Sequence, residues 1–377
     1  MRRCSLVLLG AGAALAALAA LAAFVGLAPV AASAGHWKIT DWLLHSTMRH
    51  TVRVRSLQHE PPALSAPALV LRGAGHYDSG CAPCHGAPGV HPSKVTQRMT
   101  PHPPVLTTRI PKWKPRELFW IVKNGVKFTG MPAWVAPTRD DEVWAMVAFL
   151  VRMPGMTPEE YRRLSQGESA RDSVGSAGRR AEALQEPLES ALAVCARCHG
   201  RDGAGRGEGA FPRLAGQREE YLLAALQAYA DGKRFSGIMQ PQAAGLDDAM
   251  RRVLARHYAS RRTAAMLPEV PIDPDARRRG ERIALDGAGR QGVPACSQCH
   301  GPAEAPRNPH FPVLAGQYLA YLELQLELFQ KGARGGSPFA AIMDTAAHRL
   351  TPEQIRDVAS FYAALDPADD GRAGGRQ

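Results

Sequence analysis

Cys81, Cys84 and His85 form a Cys-Xaa-Xaa-Cys-His pentapeptide, and the pattern returns at Cys195/Cys198/His199 and Cys296/Cys299/His300. Together the three copies use six of the seven cysteines in the chain. Two thiols at this spacing can add to the two vinyl groups of one porphyrin as thioethers, which leaves the adjacent histidine directly under the iron. One such pentapeptide would also suit a zinc site or a thiol-redox pair. Three of them, each followed by an apolar helical segment and a late methionine, point instead to three covalently attached haem c groups. Cys81, Cys84, Cys195, Cys198, Cys296 and Cys299 are then the attachment points, and His85, His199 and His300 the proximal iron ligands. Cys4 has no assigned role.

A six-coordinate haem iron needs a second axial ligand, and methionine in that place raises the reduction potential. Met131, Met239 and Met343 lie 50, 44 and 47 residues after the first cysteine of their motifs, each expected in a Gly/Pro-containing loop before a terminal helix. Met99 follows its motif too closely to come round the far side, and Met146 and Met250 fall within helices. His91, His102, His310 and His348 are alternative ligands in principle but read as surface or loop residues. Pro104, Pro212 and Pro312 follow the motifs at similar distances. A carbonyl in such a loop can accept the N–H of the proximal imidazole and fix its orientation and basicity.

Positioning these groups three times requires three compact units, and 377 residues allow about 100 for each. The expected division is 1–34 signal or anchor, 35–67 a possible interfacial helix and Pro-rich linker, and 68–164 a first haem domain. A linker follows at 165–180, a second domain at 181–262, a joint at 263–275, a third domain at 276–365 and a disordered tail at 366–377. The second and third units are an internal repeat: Phe211-Pro212-Arg213-Leu214-Ala215-Gly216-Gln217 recurs as Phe311-Pro312-Val313-Leu314-Ala315-Gly316-Gln317. Tyr221, Leu222, Gly232 and Arg234 return at the same offset as Tyr321, Leu322, Gly332 and Arg334. Periodicity predicts helices over 116–126, 140–152, 218–231, 247–260, 317–331 and 352–364, with no convincing strand. The first unit has the same order of parts in different residues, with four of the six tryptophans, Trp113, Trp120, Trp134 and Trp144, expected to pack around its haem.

Met1-Arg2-Arg3 precedes an uncharged Ala/Leu-rich run from about Leu6 to Val30, which reads as an export signal. Its length suits an uncleaved anchor with the arginines on the cytoplasmic side; cleavage near Ala34, after Ala32-Ser33-Ala34, is the alternative. Trp37, Ile39, Trp42, Leu43, Leu44, Met48 and Val52 then alternate with cationic residues at helical spacing, either in the membrane interface or packed on the first domain. The expected location is the periplasmic side of a bacterial inner membrane, or the periplasm itself after cleavage. The formal charge of +11 would be reduced by the haem propionates, and the arginines read as solvated surface with no nucleic-acid partner.

Residues 181–365 resemble the dihaem cytochrome c-four family in Cys195-Ala196-Arg197-Cys198-His199-Gly200, the Phe-Pro-Xaa-Leu-Ala-Gly-Gln repeat and Met239. Residues 69–164 resemble a class I cytochrome c domain with a Thr129-Gly130-Met131-Pro132 ligand loop. The resemblance implies a mostly α fold of three class I haem domains in tandem, His/Met coordination and electron transfer among membrane-associated respiratory proteins. The expected function is a relay of single electrons from a quinol-oxidising complex or a dehydrogenase towards a terminal oxidase. The cytochrome subunit of a membrane-bound alcohol or sugar-acid dehydrogenase is a second reading, and a haem peroxidase a third. With no nucleotide-binding signature or copper cluster, substrate oxidation would belong to another chain. Replacing Cys84 or Cys198 by Ala removes one thioether; the expected result, read by haem-stained gel and pyridine haemochrome spectrum, is loss of proper attachment at one haem only.

Overall fold

The computed structural model describes residues 2–27, 30–167, 187–207, 209–261, 271–302 and 308–367. Most of the expected 165–180 linker, the start of the second unit at 181–186, much of the 263–275 joint and the tail after Pro367 lie outside the described residues. Among the described residues the regular structure is helical, and β-pairing is confined to isolated bridges such as Ala87 with Val90. Helix α1 (Arg2–Phe24) covers most of the apolar N-terminal run. Among the described residues, which exclude the side chains of residues 2–6 and 8, no helix is long and apolar enough to cross a membrane.

Helix α2 (Lys38–Arg55) is oriented by charge, with Asp41 in its first turn and Arg53 and Arg55 in its last. Its two ends behave differently. Val52 near the C-terminus is fully buried, whereas Trp37, Ile39, Trp42 and Leu43 at the other end are exposed.

The first lobe contains α3 (Pro67–Gly80), α4 (Pro115–Asn124), α5 (Asp140–Arg152) and α6 (Pro158–Gln166). Each of α3, α4 and α6 starts with proline, whose missing N–H costs nothing in the first turn. Tyr77, Phe119, Phe149 and Tyr161 fill the core, and Trp144 stacks on Phe119 at 4.2 Å between ring centres. The second lobe has α7 (Pro187–His199), α8 (Glu219–Ala230), α9 (Met239–Ala244) and α10 (Asp248–Ala259) around Leu192, Leu222, Leu254 and Tyr258. In the third, α11 (Pro274–Asp286), α12 (Leu319–Gln330), α13 (Ala340–His348) and α14 (Pro352–Ala363) enclose Leu322, Val358, Phe361 and Tyr362.

The predicted helices appear with ends shifted by a few residues, and Thr351 caps α14 through a capping box with Gln354. Two short helices depart from the expected loops. Met239 opens α9 and Met343 lies inside α13. Pro241 sits in the first turn of α9, where its missing donor is harmless, and the alanines of α13 favour helix. Pro274, expected in the joint, is the first residue of α11, whose N-terminus Asp273 caps.

Two helix pairs, α3 with α5 in the first lobe and α11 with α14 in the third, cross at glycine. A methyl group on Gly73 of α3 would collide with the Ala145 carbonyl and lie 2.7 Å from Phe149 Cβ of α5. At Gly280 of α11 it would collide with the backbone of Asp357 in α14. Gly73→Ala and Gly280→Ala should therefore each destabilise by about 1–3 kcal/mol in denaturant unfolding, whereas Gly289→Ala, with no atom within 4 Å of the added methyl, should stay close to the parent.

Candidate functional site

Each Cys-Xaa-Xaa-Cys-His pentapeptide ends in a turn of helix, so both thiols and the imidazole project from one short stretch. The glycine after each histidine has positive φ, 68° at Gly86, 77° at Gly200 and 79° at Gly301, which releases the chain sharply from that turn. A buried tyrosine hydroxyl then donates to its carbonyl: Tyr77 to Gly86 at 2.6 Å, Tyr258 to Gly200 at 3.4 Å and Tyr362 to Gly301 at 2.8 Å. The tyrosine comes from the first helix in the first lobe and from the last helix in the other two. Function is kept while the wording changes.

The imidazoles are oriented alike. Nδ1 of His85 lies 2.9 Å from the carbonyl oxygen of Pro104, that of His199 3.1 Å from Pro212 and that of His300 2.9 Å from Pro312. Burial pushes His85 and His199 below the ordinary histidine range, with the proline carbonyl acting the other way. A neutral ring that donates Nδ1–H to a carbonyl keeps the Nε2 lone pair for a metal. The first cysteine of each motif is half-buried, and desolvation makes its thiol weakly acidic, pushed up to about 12 at Cys81 and about 11 at Cys195 and Cys296.

The second and third lobes share more than a pattern. The Pro212–Arg213 peptide accepts from His199 through its carbonyl, and its N–H donates to Gln317 Oε1 of the third lobe at 3.0 Å. Gln317 Nε2 returns to the Arg213 carbonyl at 3.0 Å. The reciprocal set joins Gln217 to Val313, at 3.0 Å from the Val313 N–H and 2.6 Å to its carbonyl. Thus each lobe's glutamine pairs with the peptide whose carbonyl meets the other lobe's motif histidine. The sequence repeat displayed Gln217 and Gln317, but not this exchange; a polar residue kept within both apolar copies was the available signal.

One cavity runs past both of these motifs, and Met239 and Met343 line it. His310, expected at the surface or in a loop, stands in a turn and lines it too, while His91 and His102 are exposed and His348 is half-exposed and bonded within its own helix. Arg234 is 7% exposed and lies 4.7 Å over the Tyr229 ring, with Tyr321 and Gln325 of the third lobe as hydrogen-bond partners. Arg334 mirrors it over Phe329 and donates to Tyr221 at 3.1 Å. No described carboxylate pairs with either guanidinium. A buried cation without an anion calls for one from the ligand, and porphyrin propionates supply that charge. The residues present therefore fit haem: cysteines for its vinyl groups, histidine and methionine for its iron, arginine for its propionates.

In the first lobe Met131 stands in the expected loop, where its N–H bonds Thr129 Oγ1 at 3.1 Å. Met99, set aside on spacing, reaches the same loop and ends against Gly130. Met146 is fully buried in the core. Of the tryptophans, Trp113 and Trp144 pack on that core and Trp134 donates to Glu142 at 3.2 Å.

Helical lobes built around such motifs define a c-type cytochrome. Residues 68–150 match the family described as cytochrome c oxidase, cbb3-type, subunit III, and residues 190–253 and 279–366 match the family described as cytochrome c. The chain is 38% identical over 183 residues to a thiosulfate dehydrogenase electron acceptor of Thiomonas intermedia, covering 48% of this chain and 83% of the relative. It is 33% identical over 178 residues to cytochrome c4 of Pseudomonas aeruginosa, covering 47% of this chain and 86% of the relative. The crystal structure of reduced recombinant cytochrome c4 from Pseudomonas stutzeri aligns with 47% of this chain and 98% of its own, with 32% identity and a TM-score of 0.43. The chain belongs to the cytochrome c family, and about half of its length is related to the dihaem cytochrome c4 proteins and the thiosulfate dehydrogenase electron acceptor. It is an electron-transfer protein with covalently bound haem c.

Replacing Gln317 by Ala leaves the buried N–H and carbonyl of Arg213 without their partner. The expected cost is roughly 1–3 kcal/mol for each backbone group left unpaired, read by denaturant unfolding, and Gln217→Ala should behave likewise.

Proposed function

We propose that this chain is an exported three-haem c-type cytochrome that accepts electrons singly from a dehydrogenase and passes them towards a terminal oxidase. Bound haem supplies reversible one-electron exchange, and the protein tunes it through axial ligands, burial and nearby charge. Cys81 with Cys84, Cys195 with Cys198, and Cys296 with Cys299 would hold the three groups. His85, His199 and His300 would bind iron on one side, and Met131, Met239 and Met343 on the other. The observation that carries the reading is the thrice-repeated imidazole-to-proline hydrogen bond beside a paired-cysteine turn, at Pro104, Pro212 and Pro312.

The relatives support a direction. About half of the chain is similar to a thiosulfate dehydrogenase electron acceptor, and residues 68–150 are similar to a cbb3-type oxidase subunit. A dehydrogenase at one end and an oxidase at the other is the simplest arrangement consistent with both likenesses. A quinol-oxidising donor, or permanent membership of an alcohol or sugar-acid dehydrogenase, would use the same lobes. A peroxidase would require a displaceable axial ligand, against which the three methionines weigh.

Membrane tethering on the periplasmic side belongs to the same proposal. It is supported by the uncharged N-terminal run and by the exposed Trp37, Ile39, Trp42 and Leu43 that follow it.

The test is purification of the tagged full-length chain from gently solubilised native membranes, followed by stopped-flow reduction with its co-purifying partner. A stoichiometric dehydrogenase that reduces all haems on its substrate supports the reading, whereas a permanent alcohol or sugar-acid dehydrogenase assembly favours the second. Stoichiometric carbon monoxide binding to one haem of the untreated reduced protein would overturn the carrier reading.

A further inference from the structure

The first lobe does more than precede the other two. Its helix α3 lies against the second Cys-Xaa-Xaa-Cys-His motif, where Asp78 pairs with Arg197, one of the two residues between the cysteines, at 2.6 Å. A methyl on Gly75 would stand 2.9 Å from the Phe211 ring and 3.2 Å from Cys198 Sγ. Arg72, Gly75, Arg139 and Glu142 of this lobe contribute to the wall of the cavity that holds His199 and Met239.

The tightest contacts fall on the segment leading to Met239. Arg139 Nη1 donates to the Phe235 carbonyl at 2.7 Å. Glu142, 3% exposed, accepts from the Ser236 hydroxyl at 2.6 Å and from the Gly237 N–H at 2.7 Å. Ser236 Oγ in turn accepts from the N–H groups of Ile238 and Met239, at 3.2 and 3.0 Å. Two hydrogen bonds therefore separate the Glu142 carboxylate from the backbone of Met239. Trp134 closes the arrangement: it donates to the same carboxylate, and a methyl on Gly237 would overlap its indole. Trp134 stands three residues after Met131, so the methionine segments of the first and second lobes meet. Arg139 lies 3.0 Å from Glu142 and also grips Asp141 through two nitrogens, which holds the acceptor in place.

The third lobe provides an internal contrast. Three residues before its methionine, where the second lobe has Ser236, it has Ala340, which offers no side-chain hydroxyl to carry such a link.

We infer that Glu142 and Trp134 of the first lobe, acting through Ser236, are positioning residues for the Met239 side of the second haem site. The second site is thus completed by a neighbouring lobe, and the first and second haem sites are joined through their methionine segments. This rests on the three-haem reading above. The chemistry asks for such support, because a methionine thioether is a weak, neutral ligand on a flexible side chain, and a fixed backbone keeps its sulfur in place.

The test uses the full-length, detergent-solubilised protein and follows the far-red charge-transfer band of methionine-ligated ferric haem together with an optical redox titration. Glu142→Ala should lose one haem's share of that band and lower one midpoint potential, leaving the other two unchanged. Glu142→Gln, which keeps an acceptor for Gly237 and a polar partner for Ser236, should restore most of both. Ser236→Ala preserves the Arg139–Glu142 pair and tests the same link from within the second lobe, should Glu142→Ala fail to fold. An unchanged band and three unchanged midpoints in Ser236→Ala, or in a folded Glu142→Ala, would overturn the proposal. Equal displacement of all three midpoints would overturn it too, as a general loss of packing. Fewer than three haems per chain in the parent protein would instead overturn the reading on which it rests.

Discussion

The interaction on which the arrangement depends is the hydrogen bond from a proximal imidazole to a proline carbonyl. It fixes ring rotation and tautomer together, which leaves Nε2 as the electron-pair donor. In the second and third lobes that carbonyl belongs to a peptide whose N–H is bound by the other lobe's glutamine. A peptide that accepts at one end and donates at the other is polarised in both bonds, which strengthens them in a buried setting. The lobes consequently cannot shift against each other without disturbing the support of both histidines.

The two-fold exchange of Gln217 and Gln317 repeats in Arg234 with Tyr321 and Arg334 with Tyr221. The interface is therefore built from the same residues used twice, as expected for a repeat whose halves face one another. The first lobe stands outside this symmetry. It meets the second through α3 and through the Glu142 and Trp134 cluster, an asymmetric contact made by residues that have no counterpart in the repeat. Two different modes of attachment thus give one connected body, in which the middle lobe touches both neighbours.

Much of this was legible in the residues. The paired cysteines, their histidines and the repeated Phe-Pro-Xaa-Leu-Ala-Gly-Gln all lie within short segments, where spacing alone determines what can meet. The proline carbonyls were legible for the same reason, since only 12 to 19 residues separate each from its histidine. The junction between the first two lobes was not. Glu142 and Ser236 are 94 residues apart, and nothing in a DDEVW sequence at a helix start distinguishes a buried acceptor from an ordinary first-turn acid. Glycine and proline near Met239 and Met343 point to loops, yet a proline in the first turn leaves a helix intact. Met99 likewise reaches the Met131 loop by a path that chain distance does not reveal.

The central claim is that one chain carries three haems, each bound through two thioethers. Intact mass spectrometry of the acid-denatured full-length protein addresses it most directly, because denaturation releases a haem held only by axial ligands and retains one bound covalently. Three doubly attached haems require a single species heavier than the polypeptide by three haem masses after allowance for any N-terminal cleavage. A species carrying two, one or none would contradict it.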